Sequence, residues 1–244
     1  MIKLEIVESD FGTVTILKRK LTGSILYEQG DFCQSEADSN GISLASYIHA
    51  IFGLISQTEA RKILLLGCGG GTLATMLERM GCAVTMIDVN AASFSLAKQH
   101  FYLPDSIVCQ VSDAKSFLLS DTHSYDAIIH DAFQGDRIPV HLRSLRFFCL
   151  VRDRLARRGT FFVNVHVKNN FDDYADGIAD GMKNVFSDVR LLDLVGVGER
   201  NAIVMAGAVS NLHPPNIILS PTVDRNMIEA ELAAMAFRAL RTGR

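Results

Sequence analysis

The chain has 244 residues, 48% of them hydrophobic and 21% charged, with 24 Lys and Arg against 27 Asp and Glu and a formal net charge of −3. That length suits one large domain or a medium domain with a small one, and that composition excludes wholesale disorder. The charge balance gives no global attraction to nucleic acid or to an anionic membrane, and no apolar run approaches the roughly 18 residues of a membrane span.

Five cysteines, Cys33, Cys68, Cys82, Cys109 and Cys149, include no CxxC pair. A zinc site or a disulfide framework is therefore not expected, and the pattern suits a reducing compartment. Residues 1–5 alternate polar and apolar rather than forming the apolar run of a signal peptide, so the expected location is cytoplasmic.

In chain order, short strands are expected at residues 2–6, 13–17 and 24–27, separated by turn residues near Ser9-Asp10-Phe11-Gly12 and Leu21-Thr22-Gly23. This segment, 1–40, reads as a small antiparallel β region. A helix is expected at 43–55, with Leu44, Tyr47, Ile51 and Leu54 at helical spacing. From Arg61 the rhythm alternates. Strands are expected at 63–66, 83–87, 107–111, 127–130 and 160–165, with helices at 73–80, 91–100, 114–119 and 141–156 between them. Ile63-Leu64-Leu65-Leu66 has the continuous apolar character of a strand buried on both faces. A further helix is expected at 173–186, late strands at 189–192 and 201–206, and a helical tail at 223–241. The fold class is α/β and Rossmann-like: a mostly parallel sheet with helices on both faces, preceded by the small β region. The expected division is 1–40, a main domain at 41–210, and a linker and helix at 211–244.

Leu66-Gly67-Cys68-Gly69-Gly70-Gly71-Thr72 lies between a buried strand and a helix. Glycines there permit a tight turn and let a ligand approach the backbone, and the helix N-terminus offers free N–H groups. Asp88 ends the next strand, 17 residues beyond Gly71. A carboxylate at that place can accept hydrogen bonds from ribose hydroxyls. Asp113 follows the third strand and Asp131 the fourth. In an open α/β sheet ligands bind at the carboxyl ends of the strands, so the glycine loop and the carboxylates should surround one crevice. Any one of these aspartates could be a helix cap or turn former; the ordered set is harder to explain that way.

This order resembles the class I S-adenosylmethionine-dependent transferases, and more closely the spermidine synthase (polyamine aminopropyltransferase) family, in particular a branch called spermidine synthase-like. The resemblance spans roughly residues 5–206 and is carried by Tyr125-Asp126-Ala127-Ile128-Ile129-His130-Asp131, by Ser112-Asp113-Ala114-Lys115-Ser116-Phe117-Leu118, and by the segment from Asp131 to Leu142. It implies that Gly67, Gly69 and Gly71 hold the adenosyl nucleoside, that Asp88 binds the ribose and that Asp113 accepts from the adenine amino group. Asp131 would be the catalytic carboxylate, with Gln34 and Tyr47 near the substrate. The implied co-substrate is decarboxylated S-adenosylmethionine, the implied partner a small amine such as putrescine, and no metal is required. A homodimer would be in keeping with the resemblance; the apolar tail (Met227, Leu232, Met235, Phe237, Leu240) could pack on a partner or on its own domain.

The sequence departs from the family pattern at Gly70 and Gln134, where carboxylates are usual; Asp136 or Glu28 could compensate. Glycine at 70 would remove a repulsion toward the carboxylate of ordinary S-adenosylmethionine and expose N–H groups that favour an anion. Methyl transfer from ordinary S-adenosylmethionine is thus the alternative to aminopropyl transfer, and a catalytically lapsed nucleoside-binding module is a third reading. A nicotinamide-dependent dehydrogenase fits less well, because the last glycine of G-x-G-x-x-G is misplaced. His130 and His141 flank the same loop and are expected to be structural, although either could act as a base. Cys68 has no matched His–Asp partner and is also read as structural.

Overall fold

The computed structural model describes residues 1–241. Its first strands, β1 (Ile2–Val7), β2 (Val14–Lys18), β3 (Ile25–Gln29) and β4 (Phe32–Ala37), form an antiparallel sheet in the order β1-β2-β3-β4. β4 is absent from the sequence reading. Its Phe-Cys-Gln-Ser-Glu run lacks β-branched residues and clean alternation, and pairing with β3 overrides that weak local preference.

After α1 (Ser46–Ile55), strands and helices alternate: β5 (Lys62–Leu66), α2 (Thr72–Arg79), β6 (Ala83–Asp88), α3 (Ala91–His100), β7 (Val108–Val111), α4 (Ala114–Ser120) and β8 (Tyr125–His130). They are followed by α5 (Leu145–Arg154), β9 (Leu155–Val167), α6 (Tyr174–Lys183), β10 (Val189–Asp193), β11 (Arg200–Gly207), α7 (Arg225–Ala234) and β12 (Ala236–Arg238). The resulting sheet has the order β12-β10-β11-β9-β8-β5-β6-β7. β7, β6, β5, β8 and β9 run parallel, while β11, β10 and β12 are antiparallel to their neighbours. The α/β, mostly parallel sheet with helices on both faces and an N-terminal antiparallel sheet is as expected.

The period-two alternation of β5 divides the core. Ile63 and Leu65 pack with α1, α2 and α7 on one face, and Leu64 and Leu66 pack with α4, α5 and α6 on the other. Every one of these four side chains is at most 2% exposed, and burying each contributes about 1.5–3 kcal/mol. α3 and the Phe101 that follows it bridge the two sheets: Leu96 and Phe101 pack with Val14, Ile16 and Tyr27, while Phe94 and Ala97 face the main core.

Two expected helices are shorter than their apolar spacing implies. The stretch 141–156 splits into a 3-10 turn at Val140–Arg143 and α5, whose N-cap Ser144 accepts from the Phe147 N–H; β9 then begins at Leu155. The tail expected as helix to Arg241 leaves the helix at Met235 and becomes β12 on the sheet edge. Arg238 explains the change. In the strand its guanidinium meets Asp176 at 2.7 and 2.8 Å and Asp193 at 2.8 Å, and Asp193 also pairs with Arg200. Ile228 and Leu232 of α7 are buried in the chain's own core beside α1. Residues 242–244 of the expected 211–244 segment lie outside the described residues. Among the described residues no helix is long and apolar enough to cross a membrane.

Candidate active site

The carboxyl ends of β5, β6 and β8 are laced together by the backbone. Gly67 N–H donates to Ile87 O and Asp131 N–H donates to Leu66 O, both at 2.8 Å. Gly67 has φ +107°, and a Cβ there would overlap the Asp131 carbonyl. The bare backbone at 67 is therefore what lets the loop lie against the start of the Asp131 segment. Gly71, with φ +67°, precedes α2 as its N-cap.

Asp88 ends β6 and turns its carboxylate to the loop: Oδ2 accepts from Cys68 N–H at 2.8 Å and Oδ1 from Asn90 N–H at 2.7 Å. Burial pushes its pKa up against these hydrogen bonds. Asp113 caps α4, accepting from Ser116 N–H at 2.9 Å, and its other oxygen lies 2.8 Å from His141 Nε2. Asp88 and Asp113 lie at the ends of neighbouring strands, but neither lines the cavity that contains Asp131.

That cavity, about 420 Å³, lies between β4, α1, the glycine loop and the ends of β8, β9 and β11. Among the predicted residues it is lined by Gln34, Tyr47, Gly67, Gly69, Asp131 and Asp136. Asn164 Nδ2 donates to Asp131 Oδ1 at 2.7 Å, the Tyr47 hydroxyl donates to Oδ2 at 3.3 Å, and Asn201 Nδ2 donates to Asn164 Oδ1 at 2.9 Å. Burial drives the Asp131 pKa up to about 6, partly offset by Asn164 and Tyr47. The carboxylate is thus ionised at neutral pH yet basic for an aspartate, which suits proton acceptance. Burial and the Asp131 charge together hold Tyr47 as a neutral donor.

Among the described residues four carboxylates line the cavity, Glu36, Asp131, Asp136 and Glu199, and no Lys or Arg does. Glu36 is paired with Arg19 and Asp136 with Lys168, which lowers the Asp136 pKa. His166 Nε2 lies 3.0 Å from Glu199 Oε1. Asn164, His166, Glu199 and Asn201 were not singled out in the sequence. One signal was available: Asn164 and His166 interrupt the otherwise apolar run 161–167, where a polar side chain needs a partner.

Several expectations change. Gly70 does not face the cavity: a Cβ there would lie 2.7–3.0 Å from the ring of Phe101, which is fully buried. Nor is its N–H free for an anion, because it donates to Ser35 Oγ at 2.9 Å. Gln134 is exposed and outside the cavity, in a turn where its backbone pairs with Arg137, whereas Asp136 faces inward. Glu28 does not line the cavity. His130 is fully buried, its Nδ1 accepting from Ala132 N–H at 3.3 Å and its ring edge-on to Phe147. Burial lowers its pKa to about 4, so it is neutral and walled off from the cavity. The Cys68 thiol is buried and held protonated. Among the described residues no cluster of three or more His, Cys, Asp or Glu is arranged to hold a metal.

Residues 63–145 match the family model described as a methyltransferase domain. Over 151 residues the chain is 28% identical to a probable polyamine aminopropyl transferase of Bifidobacterium longum, an alignment covering 61% of this chain and 34% of that protein. The chain thus spans about a third of that relative's length. A probable spermidine synthase from Corynebacterium glutamicum superposes with a TM-score of 0.78 at 21% identity, covering 97% of this chain and 90% of that one. A spermidine synthase in complex with the transition-state analogue AdoDATO superposes with a TM-score of 0.66 at 16% identity, covering 95% and 88%. These superpositions take in the N-terminal sheet and show that the chain has the fold of the spermidine synthase structures.

Proposed function

We propose that this spermidine synthase-like chain is a transferase that moves an aminopropyl group from decarboxylated S-adenosylmethionine to a diamine such as putrescine. The observation that carries the reading is the cavity around Asp131, lined among the described residues by four carboxylates, two of them (Glu36 and Asp136) paired with Arg19 and Lys168, and by no Lys or Arg. Such a lining favours a cationic occupant over an anionic one. β4 of the N-terminal sheet closes one side of it, so the segment that precedes the methyltransferase-type sheet contributes directly to the site.

The residues present fit an adenosyl nucleoside. The glycine loop brings bare backbone to the cavity wall, and Asp88 and Asp113 present carboxylates at the adjoining strand ends. When bound, the sulfonium co-substrate supplies an electrophilic carbon beside its positive sulfur. The work left to the chain is orientation and proton transfer. A free amine of this class has a pKa near that of lysine, about 10.4, and arrives protonated. Asp131, held on one oxygen by Asn164 and on the other by Tyr47, presents its remaining lone pairs to that ammonium and accepts its proton as the nitrogen attacks. Glu199 adds negative field for the rest of the cation, whereas Glu36 and Asp136 are already paired with Arg19 and Lys168.

A second reading, methyl transfer from ordinary S-adenosylmethionine, is favoured by the lack of any carboxylate in residues 67–72 to repel an amino-acid carboxylate, and by the matched methyltransferase domain. The occupied N–H of Gly70 removes one argument for it. Binding isotherms for the two nucleosides separate the readings. Tighter binding of the decarboxylated form supports aminopropyl transfer, and a clear preference for the ordinary form overturns it.

A further inference from the structure

Ser35 joins two parts of the molecule that the sequence places far apart. It lies in β4, and its Oγ accepts the Gly70 N–H at 2.9 Å from the middle of the glycine loop. The packing around this bond is close. A Cβ on Gly69 would lie 2.7 Å from the same Oγ, and Gly69 has φ +50°.

The position of Ser35 is set by an irregularity in the strand. Tyr27 pairs with Ser35 and the next residue, Glu28, pairs with Cys33, so Gln34 is an extra residue on β4. A bulge of this kind re-aims side chains. Here residues 32–36 all reach the cavity wall. Tyr27 in turn bonds Ser93 of α3 at 3.0 Å, and its ring neighbours Phe101, the residue that packs under Gly70. Gly70 is thus hydrogen-bonded to Ser35 and packed against Phe101.

We propose that Ser35 is a positioning residue that fixes the glycine loop for nucleoside binding, so that the N-terminal sheet sets the geometry of the nucleoside site as well as covering the amine cavity. The inference rests on the transferase reading given above. It predicts a split in the kinetics: a loop held loosely weakens binding of the nucleoside, while Asp131, Asn164 and Tyr47, which do the proton chemistry, remain in place. It also predicts an effect on the free protein that needs no substrate.

The test uses the full chain and the Ser35→Ala variant, which removes only the Oγ. Amide exchange should accelerate tenfold or more at Gly69–Gly71 and stay unchanged in β8 and β9. The dissociation constants for S-adenosylhomocysteine and 5′-methylthioadenosine, measured calorimetrically, should rise five- to fiftyfold, while kcat at saturation stays within about threefold. A second variant guards against misfolding. Gly69→Ala should weaken nucleoside binding less in the Ser35→Ala background than alone, because the clash with Oγ is gone. Unchanged loop exchange and unchanged affinity, or additive effects of the two substitutions, would overturn the proposal. Failure of the unaltered protein to bind either nucleoside would overturn the transferase reading instead, and the exchange experiment would still decide whether Ser35 orders the loop.

Discussion

Gly67 and Asp131 touch through their backbones: the α-carbon of the first glycine in the loop is so close to the Asp131 carbonyl that a β-carbon would overlap it. The first residue of the glycine loop and the proposed base are therefore in direct backbone contact, joined also by the hydrogen bond from Asp131 N–H to Leu66 O. Gly67→Ala combines that overlap with strain at φ +107°. It should destabilise the fold by about 2–4 kcal/mol and cut turnover at least a hundredfold. Thermal melts and steady-state assays on the same preparation check both effects.

The titration of Asp131 should shape the rate profile. Its pKa is raised to about 6, so kcat/KM should fall as pH drops below about 6, where the base is protonated. Asn164→Leu removes the donor that holds Oδ1, so the acid limb should move to higher pH as well as dropping in height. An acid limb that stays in place in Asn164→Leu would show that Asp131 is not the titrating group.

The same carboxylate costs stability. A folded-state pKa above the unfolded value of 3.8 means that the native chain binds the proton more tightly. This group's contribution therefore declines as pH rises from about 4 through 6. Asp131→Asn should abolish turnover yet raise stability at pH 7 by about 1–3 kcal/mol, with the difference from the unaltered protein vanishing near pH 4. Denaturant titrations at both pH values measure that difference.

Placing a carboxylate in the glycine loop should not improve the protein. Gly70→Asp points its β-carbon into the buried ring of Phe101, and overpacking of that kind costs about 1–3 kcal/mol. The expected result is a lower melting temperature and weaker nucleoside binding. A gain in activity would mean that position 70 faces the substrate.

The edge strand depends on Arg238. Removing this guanidinium strips partners from Asp176 and Asp193, whose side chains are 4% and 0% exposed. Arg238→Ala should lower stability by about 2–4 kcal/mol while leaving activity per folded molecule unchanged, because none of Asp176, Asp193 and Arg238 lines the Asp131 cavity. Calorimetry and active-site titration separate the two quantities.

Local pattern made the sheet and part of the site readable. The apolar runs of β5, β8 and β9 announce strands buried on both faces, and a glycine cluster followed by aspartates at successive strand ends is a local signal. Asn201 and Glu199 have no such signal. They reach the cavity only because β11 runs antiparallel to β9, with Asn201 opposite His166 and Ile203 opposite Asn164. β4 and β12 were hidden for a related reason: both are poor in strand-forming pattern, and long-range partners, β3 in one case and Asp176 and Asp193 in the other, decide their conformation. The orientation of Gly70 likewise depended on where Phe101, thirty-one residues later, would lie.

The most direct test of the account is product formation. The purified chain is given decarboxylated S-adenosylmethionine and putrescine, with 5′-methylthioadenosine and the lengthened amine followed by mass spectrometry beside an Asp131→Asn control. The account predicts both products in equal amounts, dependent on putrescine and lost in the control. Folded protein that yields neither product, or that yields them equally well with Asp131→Asn, would contradict it.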